Sequence, residues 1–232
     1  MPWKVPNIWE GGECWIIGGG PSMPRQFGVP EKIIQQVLTK ELTPNAYSPY
    51  MKGIHKKHVI GVNTAFLIGD WIDIMFYGDK GWFLKNREQV AEFPGLKLTC
   101  HPSGEKYVAE RIKYLSRNKK YGKGISPDSG KVCWNGNSGA AAISIAAHTG
   151  VKRIVLVGFD MTWDVDLRQH WHGLYGTFDR KDEKKMKVTF DRHKSGFSLI
   201  ARDAKKRGLT IINACPDSTI TEFEKVTVKS LL

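Results

Sequence analysis

The feature that most constrains this chain is an alternation. Short apolar runs recur at Cys14–Gly18, His58–Val62, Asp73–Tyr77, Leu96–Cys100, Lys131–Trp134, Arg153–Val157 and Leu209–Asn213. Most are continuous runs of Ile, Val and Leu rather than apolar-polar alternations, the pattern of strands buried on both faces. Between them lie stretches with helical spacing at Pro30–Lys40, Gly81–Glu92, Glu105–Arg117, Gly139–Thr149 and Val188–Arg207. Pro30 suits a first helical position, Ser103 and Ser138 suit N-caps, and Gly150 and Gly208 suit C-terminal stops. Strands that alternate with helices predict a mainly parallel sheet covered on both faces.

Composition sets the frame for that pattern. A chain of 232 residues has room for one α/β domain with its own core. Fractions of 41% hydrophobic and 25% charged residues exclude disorder, collagen, coiled coil and a disulfide scaffold as its main character. The reading is therefore a single Rossmann-like α/β domain over 1–232, with a sheet of about seven strands. Three long interruptions, Thr43–Lys57, Asn118–Gly130 and Asp160–Asp182, suggest functional loops, and 160–188 is expected to form a lid over the site. No apolar run approaches the roughly 20 residues that cross a bilayer. Met1–Pro6 has no apolar signal core, which points to the cytoplasm. Cys14, Cys100, Cys133 and Cys215 include no Cys-x-x-Cys pair and read as small buried hydrophobes in a reducing compartment.

Charge narrows the partners. Thirty-five Lys and Arg against 23 Asp and Glu leave +12, which favours anionic partners. The excess is dense from Lys106 to Lys131, where Tyr107, Tyr114 and Tyr121 interleave with the cations. A solvated helix face explains that stretch, and so does a single-stranded nucleic-acid surface. A nucleic-acid partner and a homo-oligomer both stay open.

In a parallel sheet, ligands bind at the carboxyl ends of the strands. After the first run stands Gly18-Gly19-Gly20-Pro21-Ser22, whose glycines would let backbone amides approach a phosphate. It is not the full dinucleotide fingerprint, because Met23 occupies the place of the third glycine. After the second run comes Asn63, which offers a donor and an acceptor. Asp79 follows the third and could hold a ribose hydroxyl, a metal or an acceptor hydroxyl. Asn137-Ser138-Gly139 opens an Ala-rich helix whose N-terminus would suit an anion. Asp160 follows the sixth run and leads into Asp164-Val165-Asp166 and His170-Trp171-His172. The two histidines suit substrate contact better than a metal, so no metal ligand is assigned. Phe190, His193, Phe197, Ile200 and Ala204 share one face of the helix expected over Val188–Arg207. That places His193 inward near the helix start, where it reads as a core histidine or a general base.

The order Gly20-Pro21-Ser22, Asn63, Asn137-Ser138-Gly139, Gly158-Phe159-Asp160, His193-Lys194-Ser195 and Cys215-Pro216-Asp217-Ser218 resembles the bacterial sialyltransferases of lipooligosaccharide. It is also similar to the wider set of flagellin-glycosylation proteins and, in its His-Trp-His-Gly segment, to a group common in phage genomes. The resemblance implies a nucleotide-sugar donor, such as a CMP-linked sugar, held by Gly18 to Ser22, Asn63, Asn137 to Gly139 and Asp160. It implies that Cys215, Pro216 and Ser218 close the nucleotide pocket and that His193 is the general base toward a glycan acceptor. No obligatory metal is implied. The family's phosphate-steadying tyrosines have no counterpart at Met161-Thr162-Trp163, where Tyr175 or His172 would substitute, with His170 beside them. The fold is shared with the archaeal-type pterin pyrophosphokinases, which implies an alternative: magnesium-dependent phosphoryl transfer using Asp79 and Asp160. A third reading is a non-catalytic nucleotide or nucleic-acid binding module.

Overall fold

The computed structural model describes residues 3–101, 111–120, 122–175 and 183–232. The chain opens with β1 (Glu13–Ile17), α1 (Met23–Gln26), α2 (Glu31–Leu38) and a 3₁₀ segment (Pro44–Ile54). Next come β2 (His58–Val62), a second 3₁₀ segment (Asn63–Ile68), β3 (Ile74–Tyr77), α3 (Lys80–Lys85), α4 (Arg87–Glu92) and β4 (Leu96–Thr99). Three short strands follow, β5 (Ile112–Tyr114), β6 (Ser116–Arg117) and β7 (Lys131–Val132). The last part holds α5 (Ser138–His148), β8 (Arg153–Val157), α6 (Glu183–Lys194), α7 (Phe197–Lys206), β9 (Thr210–Asn213) and β10 (Glu224–Lys225).

Eight strands form one sheet in the order β10-β9-β8-β1-β2-β3-β4-β5, and every pairing in it is parallel. The α/β expectation holds. The sheet has one strand more than the seven expected, because β5 and β10 form its edges. Lys131–Trp134 does supply a strand, but β7 pairs with β6 in a separate two-stranded sheet. The helix expected over Glu105–Arg117 lies partly outside the described residues, as does Ser103. Its described end is β5 and β6 instead, because Ile112 buries into the sheet's core while Lys113 faces solvent, a period of two.

The period of two also explains why the central strands are apolar throughout. Cys14 and Ile16 of β1 pack with Ala140, Ile143 and Ile145 of α5 and with Phe197 and Ile200 of α7. Trp15 and Ile17 pack against the other layer, with Ile34 and Val37 of α2, Met51, Phe66 and Phe83. Strands β2, β3 and β8 divide in the same way, Ile60, Ile74 and Leu156 to the first core and Val59, Met75 and Val155 to the second. Helix α5 lies close to the sheet because its inner positions are Ala, and Ala140 to Ala146 are all buried.

Two expected helices break. Gly81–Glu92 divides at Asn86, whose Nδ2 donates to the Trp82 carbonyl at 2.7 Å. That bond competes with the helical ladder. Val188–Arg207 divides at Ser195–Gly196. A Cβ on Gly196 would lie 2.6 Å from Asn135 Oδ1, so close packing on Asn135 requires glycine there. His193 therefore sits in the last turn of α6, not near the start of one long helix.

Ile16 is fully buried between β2 and β8. Replacing it by Ala should lower the unfolding free energy by about 2–5 kcal/mol, read as an earlier urea midpoint at unchanged slope.

Candidate functional site

The chain runs outward from β1 through β2, β3 and β4, then returns to the other side of β1 at β8. The strand order reverses between β1 and β8, so ligand space is expected outside the carboxyl ends of these two strands. The loops leaving them touch directly. Gly20 N–H donates to the Gly158 carbonyl at 2.8 Å, and a Cβ on Gly18 would lie 2.7 Å from that same oxygen. Gly158 itself has φ +69°, a left-handed backbone that favours glycine. A Cβ on Gly20 would overlap the carboxyl group of Asp160.

A cavity of about 150 Å³ opens at this place. Gly18, Gly19 and Gly20 form one wall and Asn137, Ser138 and Gly139 another. Asn63, His170, His172, Tyr175 and His193 also line it. With Gly158, Phe159, Met161 and Thr162, residues from six separate stretches meet in one space. Pro21, Ser22, Asp79, Asp160, Cys215, Pro216 and Ser218 are not among the lining residues. Each of these with a defined role supports the loops instead. Asp79 caps α3, accepting from the Trp82 amide at 2.7 Å. Asp160 is buried and accepts from the Ser22 amide at 3.1 Å. Cys215 Sγ accepts from the amides of Gly158 and Phe159, and Ser218 Oγ donates to the Phe159 carbonyl at 2.7 Å.

Asn137, rather than Ser138, is the N-cap of α5. Its Oδ1 accepts from the Ala140 amide at 2.8 Å. Its Nδ2 donates to the His193 carbonyl at 2.9 Å, which ties the end of α6 to the start of α5. The Ala141 amide goes to the Asn137 carbonyl. The amides of Ser138 and Gly139 are those the helix N-terminus leaves for a ligand. Asn63 has φ +51° and a buried Oδ1 with no partner among the described residues.

A further side of the cavity is built by Trp171, a residue to which sequence reading gave no role. Trp171 is buried, donates from Nε1 to the Gly18 carbonyl at 2.8 Å and from its amide to the Gly19 carbonyl at 3.1 Å. Tyr47 Oη donates to the Trp171 carbonyl at 3.1 Å. This clamp presses the flanking histidines onto the glycine loop. His170 and His172 stack with centroids 5.3 Å apart, and Tyr175 stands edge-on to both. Tyr175 Oη accepts from Thr64 Oγ1 at 3.0 Å.

The two rings carry their protons differently. The Gly19 carbonyl can only accept, so the His170 proton is on Nδ1, 3.3 Å away. Leu174 N–H donates to His172 Nδ1 at 3.3 Å, so the neutral His172 carries its proton on Nε2. Burial drives His170 down to about 4 and His172 well below the usual imidazole value. Burial, and then the Arg192 charge, lowers His193. At neutral pH the cavity holds uncharged imidazoles. Among the described residues, no group of three or more His, Cys, Asp and Glu side chains is arranged to hold a metal ion. Nor is any helix among them long and apolar enough to cross a membrane. The Lys106 and Tyr107 part of the basic stretch, Tyr121, and 176–182 of the expected lid lie outside the described residues.

No protein-family model matches the chain. No curated protein matches it either. Solved structures match by fold. The MAf glycosyltransferase from Magnetospirillum magneticum AMB-1 aligns over 100% of this chain at TM-score 0.62 and 13% identity. This chain spans only 36% of that protein's length. The sialyltransferase CstII from Campylobacter jejuni, solved with cytidine-5'-monophosphate, aligns over 94% of this chain and 86% of its own at TM-score 0.47 and 14% identity. The alpha-2,3-sialyltransferase Cst-I of the same organism aligns over 94% and 81% at TM-score 0.44 and 14% identity. At these identities the likeness is one of fold.

A histidine whose folded pKa is depressed binds fewer protons than the unfolded chain between its folded value and about 6.5. Stability then rises with pH across that window. It should be full above about pH 6.5 and fall as pH drops toward the His170 value of about 4. Asp160, pushed upward by burial, contributes the opposite slope in the carboxylate range. Melting temperature should therefore fall from pH 7 to pH 5, and His170→Phe should flatten that fall. An unchanged slope in the variant would show that His170 is protonated normally in the native state.

Proposed function

We propose that the chain is a glycosyltransferase that moves a sugar from a nucleotide-linked donor to a hydroxyl acceptor. The observation that carries this reading is the meeting, in one cavity, of uncharged imidazoles with the Gly19 amide and the N-terminus of α5. Glycosyl transfer needs both. The acceptor O–H must lose its proton as the new C–O bond forms. The phosphate oxygen that leaves the sugar carbon gathers negative charge and needs fixed donors around it.

In this reading His193 takes the acceptor proton and later releases it to water. Its depressed pKa keeps the ring neutral and able to accept at pH 7. The amides of Ser138, Gly139 and Gly19 and the Tyr175 hydroxyl would face the leaving phosphate. Tyr175 is suited to replace the family's phosphate-steadying tyrosines, since its hydroxyl is oriented by Thr64. The cavity of about 150 Å³ is smaller than the roughly 300–1,000 Å³ of sites that enclose a drug-sized ligand. It would take the reacting portion of the donor, with the rest along the open rim. The whole-chain fold likeness to a solved glycosyltransferase agrees with the proposal and supplies fold alone.

Magnesium-dependent phosphoryl transfer is less well supported. Asp79 caps a helix through Oδ1, Asp160 accepts from the Ser22 amide through Oδ1 while its Oδ2 is buried, and neither residue lines the cavity.

A panel of nucleotides and nucleotide-sugars, run with EDTA, should raise the melting temperature for one base class, as native-state binding must. CMP is the first candidate. Stabilisation by ATP only when magnesium replaces EDTA would overturn the transferase reading. With the donor identified, His193→Ala should cut turnover by about 10²–10⁴-fold and keep the nucleotide-induced shift. Full turnover in that variant would remove His193 as the base.

A further inference from the structure

Beyond the cavity, on the β3–β5 side of the same rim, stands a cation with no carboxylate partner among the described residues. Arg117 ends β6 and reaches across two strand ends. Its Nε donates to the Cys100 carbonyl at 3.1 Å and its Nη2 to the Gly78 carbonyl at 2.7 Å. Cys100 follows β4 and Gly78 follows β3, so both acceptors sit at carboxyl ends. The guanidinium carbon lies 3.8 Å from the centroid of the Trp134 ring. A half-buried arginine fixed by two carbonyls and a ring face has little freedom left to lose on binding.

Among the described residues no carboxylate pairs with it. Asp79, which follows β3 as Gly78 does, spends its Oδ1 on the Trp82 amide. His101 feels the consequence: burial first, then the Arg117 charge, lowers its pKa. A guanidinium has five N–H donors, and the two carbonyl bonds leave most of the fork open. Planar forks of this kind match carboxylate and phosphate oxygens in pairs.

The platform adjoins the cavity. A Cβ on Gly78 would lie 2.2 Å from the Trp134 ring and 3.2 Å from Ser138 Oγ, and Ser138 lines the cavity. Gly78 is therefore packed close to both the Trp134 ring and a residue that lines the cavity.

We propose that Arg117, seated on Trp134, is an oxyanion subsite. It takes the carboxylate or phosphate of an acidic sugar whose hydroxyl end reaches the cavity. Its assignment to the acceptor rests on the transfer reading; the oxyanion site itself does not. The basic excess of the chain suits such a ligand.

The test is a titration of the full chain with glucuronate, glucose 6-phosphate and glucose, followed by calorimetry and by the Arg117 Nε–Hε resonance. At least one of the two anionic sugars should bind about tenfold or more tightly than glucose, as a charged hydrogen-bonded pair warrants. Whichever binds identifies carboxylate or phosphate as the group. Arg117→Gln, which keeps donors for the two carbonyls, should erase the preference while neutral-sugar binding stays put. If that variant does not fold, the wild-type resonance decides: it must move with an anionic sugar and stay still with glucose. Equal binding of all three sugars, a preference that survives Arg117→Gln, or an unmoved resonance would overturn the subsite. The nucleotide panel fails or succeeds separately. Anion binding at Arg117 without any nucleotide stabilisation keeps the subsite and removes the transfer reading.

Discussion

The structure turns on a contact between two backbones. The loops leaving β1 and β8 approach so closely that Gly20 N–H reaches the Gly158 carbonyl and no side chain fits between. This contact is possible only with glycine at Gly18, Gly20 and Gly158, and it leaves a floor made of peptide groups. Peptide amides are the one kind of donor that cannot rotate away, change charge or be screened by their own flexibility. Two of the three in the glycine loop are already paired, Gly18 N–H with the Val157 carbonyl and Gly20 N–H with the Gly158 carbonyl, so the contact fixes the shape of the crevice more than it supplies donors. The strands beneath it are apolar on both faces, so water cannot loosen it from below.

On that floor stands the Trp171 clamp, and the clamp sets the chemistry of its neighbours. Because Trp171 bonds to the Gly18 and Gly19 carbonyls, His170 and His172 are carried into a place where an imidazolium would be poorly solvated. Burial dominates the pKa of both. The result is a pair of neutral rings with opposite tautomers, one presenting a lone pair at Nε2 and the other a proton. His193 reaches the same space from α6, held through its carbonyl by the residue that caps α5. Packing thus delivers three imidazoles in the state that can accept or relay a proton at neutral pH.

How much of this was legible in the sequence depends on the range of the signal. The central strands were readable because each is a continuous apolar run, a local pattern. Part of the cavity's lining was readable once a parallel sheet was inferred, since Gly18–Gly20, Asn63 and Asn137–Gly139 all come soon after apolar runs. Sheet membership was not, because Lys131–Trp134 looks like any strand and only its partner, β6, sets it apart. The break at Gly196 was hidden for a similar reason: it answers to Asn135, far away in the chain. Nor could a pattern separate lining residues from supports. Cys215, Ser218 and Asp160 sit next to the site in sequence logic, yet they hold the β8 loop from behind. Trp171 gave one clue, a large apolar side chain inside a polar loop between two histidines.

The same distinction bears on the charge excess. Net charge says that an anion is welcome and nothing about where. The exposed lysines contribute a diffuse field, which salt screens over about 8–10 Å. Arg117 differs from them physically rather than numerically. Its guanidinium is bonded to two carbonyls and laid on a ring face, with no carboxylate partner among the described residues, so its orientation is set by the fold. Sequence reading counted it as one basic residue in a long run and placed it at the end of a helix. The fold instead puts it where three strand ends, an aromatic face and the mouth of the cavity meet. A cation in that setting acts by geometry, whereas a lysine on the surface acts by attraction. The rim of the sheet therefore sets two different features side by side, a crevice at β1 and β8 closed by backbone contacts and a single oriented guanidinium beyond β3.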